Sequence, residues 1–380
     1  MTKLNQQTLM NQVILLRQTL KPLLGWHGAR LSFLALFLIA LLRVKTVNLV
    51  EIATVFRSKA KKDSSYKRLQ RFFSKFELDY TLMAQTVVKL MEIPQPWVLS
   101  VDRTEWSFGE TRFNFLVLGI VHNGVAFPVV WDALDKKGNS NSKERMDLID
   151  RFYTIFPDAK VKYLTGDREF VGKEWLTYLL LDPKIPFCLR IRNSDQIDNG
   201  RQQLRASIVF AHLKPGQIKT LSGKRLVWGR LVYVSALRLE RGKLLILITP
   251  NPCSTVIADY AKRWGIETLF GMFKTRGFCL ESTHFKNSER LSKLFALMTR
   301  GLESRQSSFR RRSAHTCCSL CWAIKTGEWL HQFSPIKVKK HGRLAKSIFR
   351  YGLDYLRSIL ADLDLKHDEF LASLQFLSCT

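Results

Sequence analysis

Tyr260-Ala-Lys-Arg263-Trp-Gly-Ile-Glu267-Thr-Leu-Phe-Gly-Met-Phe-Lys274 is the stretch from which the rest of the chain is read. The apolar spacing predicts one helix over about 254–274. At about 100° per residue, Tyr260, Arg263, Glu267 and Lys274 fall within an arc of roughly 60°. A carboxylate is thereby held between a guanidinium, an ammonium and a phenol. The bland reading is a core helix with an ion-paired edge, because Arg263 and Glu267 stand at the i,i+4 spacing. What lies upstream chooses between the two.

Upstream, two apolar runs each lead into an acid: Trp97-Val-Leu-Ser-Val-Asp102 and Val161-Lys-Tyr-Leu-Thr-Gly-Asp167. Both read as buried strands ending in a carboxylate. Asp102, Asp167 and Glu267 can then meet at one sheet edge. Three clustered carboxylates raise one another's pKa and repel, and a divalent cation relieves that repulsion. An all-oxygen donor set suits Mg²⁺ or Mn²⁺, which keep open positions for phosphate oxygens. Two such ions can activate a hydroxyl and stabilise the leaving oxygen in an attack on a phosphodiester. The charge fits such a substrate: 60 Lys and Arg against 32 Asp and Glu give a net +28, which reads as a polyanion partner, nucleic acid first.

These residues resemble the DDE transposases of the type-four bacterial insertion-sequence family. The carriers are Asp102 in Ser-Val-Asp-Arg-Thr-Glu-Trp, Asp167 in Thr-Gly-Asp-Arg-Glu-Phe, and the pattern Tyr-x2-Arg-x3-Glu-x6-Lys at Tyr260, Arg263, Glu267 and Lys274. The resemblance implies an α/β fold, a ribonuclease-H-like catalytic core with a β-rich insertion before the Glu, flanked by N-terminal and C-terminal helical regions. It implies that Asp102, Asp167 and Glu267 hold two metal ions, and that Tyr260, Arg263 and Lys274 grip phosphates of the element's end. It further implies cut-and-paste transposition through a hairpin intermediate, by a homodimer that holds paired ends of double-stranded DNA.

On this plan residues 1–92 form a helical DNA-end-binding domain, 93–193 and 250–290 the core, 194–249 the insertion, and 291–380 a helical basic C-terminal region. Residues 1–80 carry 14 Lys and Arg against 4 acids. Asn48–Phe56 and Ser64–Phe73 read as two short helices, the second capped by Ser64 or Ser65. Joined by a basic turn they resemble a helix-turn-helix reader, with Lys67, Arg68 and Arg71 on DNA. The alternative is a bundle with a solvated basic face. Within the core, Asn123-Gly124 between apolar runs marks a hairpin. Arg168 and Glu169, just after the second acid, either position DNA and the metal site or form a structural ion pair. Trp228 in the insertion is the candidate aromatic platform for a base forced out of the stack; the alternative is a packed core Trp.

Gly301 to Ser319 breaks the pattern, being polar, arginine-rich and aperiodic between two apolar helical stretches. An insertion or a local reading-frame disturbance there would make the chain a cleavage-defective end-binding relic or inhibitor; a DNA-contacting loop is the other reading. A third function class is a metal nuclease that does not transpose. The seven cysteines have no framework spacing, which suits a reducing cytoplasm, and the group His315, Cys317, Cys318 and Cys321 lacks the partners of a zinc site. The apolar run Leu31–Leu42 is too short to span a bilayer and reads as a buried helix, so no membrane partner is expected.

Overall fold

The computed structural model describes residues 3–24, 26–56, 62–75, 79–298, 319–340, 342–362 and 365–377. Packing divides the chain into two units. One is Met1–Ile93, Trp106–Phe113 and Phe270–Thr380; the other is Pro94–Glu105 and Asn114–Leu269.

The first unit begins with five helices, α1 (Lys3–Leu24), α2 (Gly28–Val44), α3 (Leu49–Val55), α4 (Lys62–Lys75) and α5 (Tyr80–Leu90). The run Leu31–Leu42 lies within α2 and is almost wholly buried, as its composition requires. Phe33 stacks on Phe72 of α4 with ring centroids 4.3 Å apart, and Phe37 meets Phe73 edge-on. Each such buried side chain contributes roughly 1.5–3 kcal/mol relative to exposure. No single helix among the described residues is long and apolar enough to cross a membrane. The pair α2 and α3 qualifies only together and is bent by 108°. Asn48 caps α3, its side chain accepting from the Val50 N–H. The second short helix starts earlier than its sequence suggests. It begins at Lys62, and Ser65, expected as a cap, is buried and donates to the Phe56 carbonyl.

The second unit is built on a mixed sheet that begins with β1 (Trp97–Phe108), β2 (Thr111–His122) and β3 (Val125–Ala133), followed by α6 (Ser142–Ile155), β4 (Val161–Gly166), α7 (Lys173–Leu181) and β5 (Phe187–Ile191). Asn123 and Gly124 both take positive φ, the two-residue turn predicted between β2 and β3. Helix α6 starts with a full capping box between Asn141 and Glu144. The strand order β3-β2-β1-β4-β5, with β1–β4 and β4–β5 parallel, is that of a ribonuclease-H-like core. Parallel neighbours need a crossover, and α7 supplies it between β4 and β5.

After β5 come β6 (Gln196–Asp198), β7 (Gln203–Arg205), α8 (Ala206–Val209), β8 (Ile218–Thr220), β9 (Arg225–Val227), β10 (Arg230–Arg238) and β11 (Leu244–Thr249). They do not make a sheet of their own, as the sequence suggests. Strand β11 pairs antiparallel with β5 on one side and β10 on the other, so the inserted strands continue the central sheet to eleven strands. Without β11, β5 would present a bare row of N–H and C=O groups, which proteins avoid by covering the edge. The run Arg225–Leu237 is a hairpin, β9 and β10, turning at Trp228-Gly229.

The chain then forms α9 (Val256–Ala261) and α10 (Trp264–Phe273), and the remainder is α11 (Ser288–Met298), α12 (Ser319–Phe333), α13 (Ile348–Ala361) and α14 (His367–Leu374). Helices α12 and α13 cross closely at Gly327 and Gly352. A Cβ on Gly352 would overlap the Ala323 carbonyl, and one on Gly327 the Ile348 carbonyl. The anomalous segment from Gly301 lies outside the described residues up to 318; Ser319 is buried as the first residue of α12.

Candidate active site

The acids are placed by the parallel pairing of β1 and β4, which ends at Val101 opposite Gly166. Asp102 and Asp167 are the next residues of the two strands, side by side at the end where α/β sheets place their ligands. Asp102 does not end its strand, as the sequence suggests, because β1 runs on to Phe108 while the chain leaves β4 at Gly166. Gly166 sits in a tight place, since a Cβ would lie 3.1 Å from Val101 Cγ1 and Phe170 Cβ and push on both.

Glu267 is brought to the same place by a break in the expected helix. Residues 254–274 form α9 and α10 with a turn at Lys262 and Arg263, closed by i→i−3 bonds such as Arg263 N–H to the Tyr260 carbonyl, 3.0 Å. The bend goes with a close approach, for an added Cβ on Gly265 would lie 3.0 Å from the Ala126 backbone nitrogen at the start of β3. Tyr260 joins Val98, Tyr163, Cys188, Leu247 and Val256 in a core cluster under the sheet, which fixes the start of the motif.

Arg263 is the centre of the arrangement. Its Nη1 donates to Asp102 Oδ2 at 3.1 Å and to Glu267 Oε1 at 3.2 Å, so one cationic N–H bridges two of the three acids. The i,i+4 pair of the bland reading is therefore present, and a second acid is on it. The Arg263 side chain is 7% exposed, against 15% for Asp102 and 46% for Glu267. Its Nε is buried without a hydrogen-bond partner among the described residues. Burial works against the Arg263 charge, but Tyr260, Asp102, Asp167 and Glu267 together raise its pKa. Burial lifts Asp102 to about 7. The Arg103 backbone N–H and Arg263 pull it down, while Glu267 and Glu169 push the same way as burial.

Asp167 is held separately. Its Oδ1 accepts from the Tyr260 hydroxyl and from Arg190 Nη1, both at 3.3 Å. Burial pushes the Tyr260 phenol up to about 12, so it stays a donor. Lys274, expected beside Glu267, instead pairs with Glu281 at 3.1 Å and lies over the Trp106 ring. The break between α9 and α10 separates Tyr260, on α9, from Glu267, on α10, and Lys274 lies just past the end of α10, seven residues beyond Glu267.

Two residues at the site escaped the sequence reading. Arg103 forks onto Glu169 through Nε (3.1 Å) and Nη2 (3.3 Å), and also donates to Asn114 Oδ1 at 2.8 Å. It thereby ties the residue after Asp102 to the loop carrying Asp167. Glu169 is thus the ion-paired residue of the two, and Arg168 is exposed. Arg190 lies on β5 next to the end of β4, where Leu189 pairs with Gly166. The signal for Arg103 was the repeat of Asp-Arg at 102–103 and 167–168 with an acid following each. Nothing local marks Arg190.

Trp228 is 39% exposed at the tip of the β9–β10 hairpin, and both it and Gly229 have positive φ. A packed core Trp is thereby ruled out. Lys67, Arg68 and Arg71 lie exposed along α4, with Arg68 over the Phe33 ring.

Among the described residues no three His, Cys, Asp or Glu side chains are gathered tightly enough to hold one metal ion. The donor set nevertheless suits a hard divalent cation, being carboxylate oxygens throughout. Arg263 Nη1 already shows that Asp102 and Glu267 can share one positive centre.

The transposase DDE domain family matches residues 93–300, more than half of the chain and the span that holds Asp102, Asp167 and Glu267. The chain belongs to this transposase family. No curated protein matches it in sequence. Among solved structures, the cryo-EM structure of a piggyBac transposase synaptic complex with hairpin DNA covers 98% of this chain and 84% of its own, at 10% identity and a TM-score of 0.44. Endonuclease V of Bacillus subtilis covers 55% of this chain and 89% of its own, at 10% identity and a TM-score of 0.25. Both likenesses are too distant to assign a role to any residue.

Proposed function

We propose that this transposase binds the ends of the insertion sequence that encodes it, cuts them, and joins the freed 3′-hydroxyls to target DNA, within the type-four insertion-sequence family that its Tyr-Arg-Glu-Lys motif resembles. The observation that carries the proposal is the convergence of Asp102, Asp167 and the Arg263–Glu267 pair at one end of β1 and β4. Asp102, Asp167 and Glu267 would hold Mg²⁺ or Mn²⁺, two ions per site. When bound, the metal supplies Lewis-acid activation of the attacking oxygen and charge stabilisation on the leaving one.

Arg263 offsets the repulsion between Asp102 and Glu267 while DNA is absent. Its unpartnered buried Nε is a group whose burial costs about 1–3 kcal/mol if nothing bonds to it, and a phosphate oxygen is the natural acceptor. Arg263 then exchanges carboxylates for phosphate as DNA arrives. Tyr260, Lys274 and Arg168 are the further phosphate contacts of this reading. Trp228, held exposed in a conformation that bulky residues rarely adopt, serves as the stacking platform for a base displaced during hairpin formation. Lys67, Arg68 and Arg71 on α4 hold the element end. A homodimer holds paired ends, and the described cysteines, all free, suit action in the cytoplasm.

The test is Mg²⁺-dependent cleavage and strand transfer on linear DNA carrying the cognate ends. Asp102→Ala, Asp167→Ala and Glu267→Ala should each abolish cleavage and spare end binding. Retained cutting in any one removes that residue from the site. End binding without cutting by the native chain would favour the relic reading, and cutting without end preference a plain nuclease.

A further inference from the structure

The first unit holds a cleft of about 230 Å³ that the reading above leaves unused. Asn48, Tyr66 and Gln70 line it from α3 and α4, and His284, Lys286 and Arg290 from the segment leading into α11. No carboxylate among the described residues lines it. His284 is held against Phe108 with ring centroids 4.8 Å apart, and its neighbour Phe285 is anchored edge-on to Phe73. Asn287 accepts from the Arg290 N–H, so the α11 start that carries both cations is fixed. Asn48 spends its Oδ1 on the Val50 N–H, which leaves its NH₂ donors free for another acceptor.

Two cations, three aromatic rings and two amides in one small concavity match the parts of a single nucleotide. The cations suit a phosphate, the rings suit the face of a base, and the amides suit its edge. In a duplex the base faces are buried in the stack and only edges are offered, so aromatic side chains lining a cleft this size favour a base that is not paired. We propose that the cleft binds one unpaired nucleotide of a DNA strand, its phosphate on Lys286 and Arg290 and its base against Tyr66 and His284. The proposal rests on the reading of the chain as a DNA-binding transposase and adds a site for single-stranded DNA to it.

The test uses the full chain and fluorescence anisotropy with a labelled oligothymidylate and a duplex of equal length, with thermal melts to confirm folding. The double variant Lys286→Ala/Arg290→Ala should weaken oligothymidylate binding about tenfold or more and duplex binding less than twofold. Tyr66→Ala should cost about tenfold on the single strand, and Tyr66→Phe, which keeps the ring, should cost little. Competition by thymidine monophosphate would show that a free nucleotide enters the same cleft; absence of competition alongside the variant effects would confine the site to a strand. Unchanged single-strand binding, or equal losses on single strand and duplex, overturns the proposal. Lys67→Ala/Arg71→Ala is run in parallel. If it leaves duplex binding intact, the end-binding role of α4 fails while the cleft assignment stands on its own variants.

Discussion

Asp102 is an acid whose burial and whose ion pair pull in opposite directions. Burial prevails and lifts it from 3.8 to about 7. The folded-state value therefore lies above the unfolded one, and the native state keeps a proton that the unfolded chain has lost. Its contribution to stability is fully present below about pH 4 and is lost as pH rises to about 7. Asp102→Asn, which keeps an amide oxygen for Arg263, removes this dependence. Thermal unfolding should show the variant more stable than the native chain at pH 8 by roughly 2–4 kcal/mol, with no gain at pH 4. A loss at pH 8 would mean that the charge on Arg263 needs Asp102 ionised more than burial resists it. A gain with loss of cleavage is the usual exchange at a strained catalytic group.

At the scale of the element, the hairpin β9–β10 and the crossing of α12 with α13 make opposite predictions. Trp228 and Gly229 form a turn in which both residues have positive φ, and Asn-Gly is the favoured pair for such turns. Trp228→Asn should hold or raise the melting temperature by up to a few degrees, while excision on hairpin-forming ends falls. A drop in stability would show that the indole packs for structure rather than waits for a base. Gly352→Ala should do the reverse. A methyl there meets the Ala323 carbonyl, and forcing the helices apart costs about 1–3 kcal/mol, measurable as a lower denaturant midpoint. Element boundaries were partly legible. The Asn123-Gly124 turn stands where its residues place it, because turn chemistry is local. The start of α4, the hairpin at Trp228 and the break between α9 and α10 were not. Lys62 opens a helix that Ser64 and Ser65 seemed to cap, and the turn at Lys262 and Arg263 precedes a glycine, Gly265, that lies close against the start of β3.

For the whole molecule, the net +28 sets how strongly binding to DNA depends on salt. Each phosphate contact displaced as counterion contributes about 0.9 to the log–log slope of affinity against salt. Removing Lys67 and Arg71 should lower the slope for the element end by about 2. An unchanged slope would show that α4 presents a solvated face and touches no phosphate.

The sequence by itself determined which acids are the candidates: Asp102 and Asp167, each following an apolar strand, and Glu267, in a motif that joins it to an arginine and a tyrosine. These are local facts of residue type and spacing, and the span that the transposase family matches, 93–300, contains all of them. Tertiary structure decided which groups meet. Strand order puts Asp102 beside Asp167 and brings Arg190 from β5, about twenty residues further on, to the same acid. Lys274, just past the end of α10, pairs with Glu281, and Arg263 stands between Asp102 and Glu267. Pairing across a sheet and the angle between two helices depend on residues distant in sequence. Spacing along the chain therefore cannot supply them.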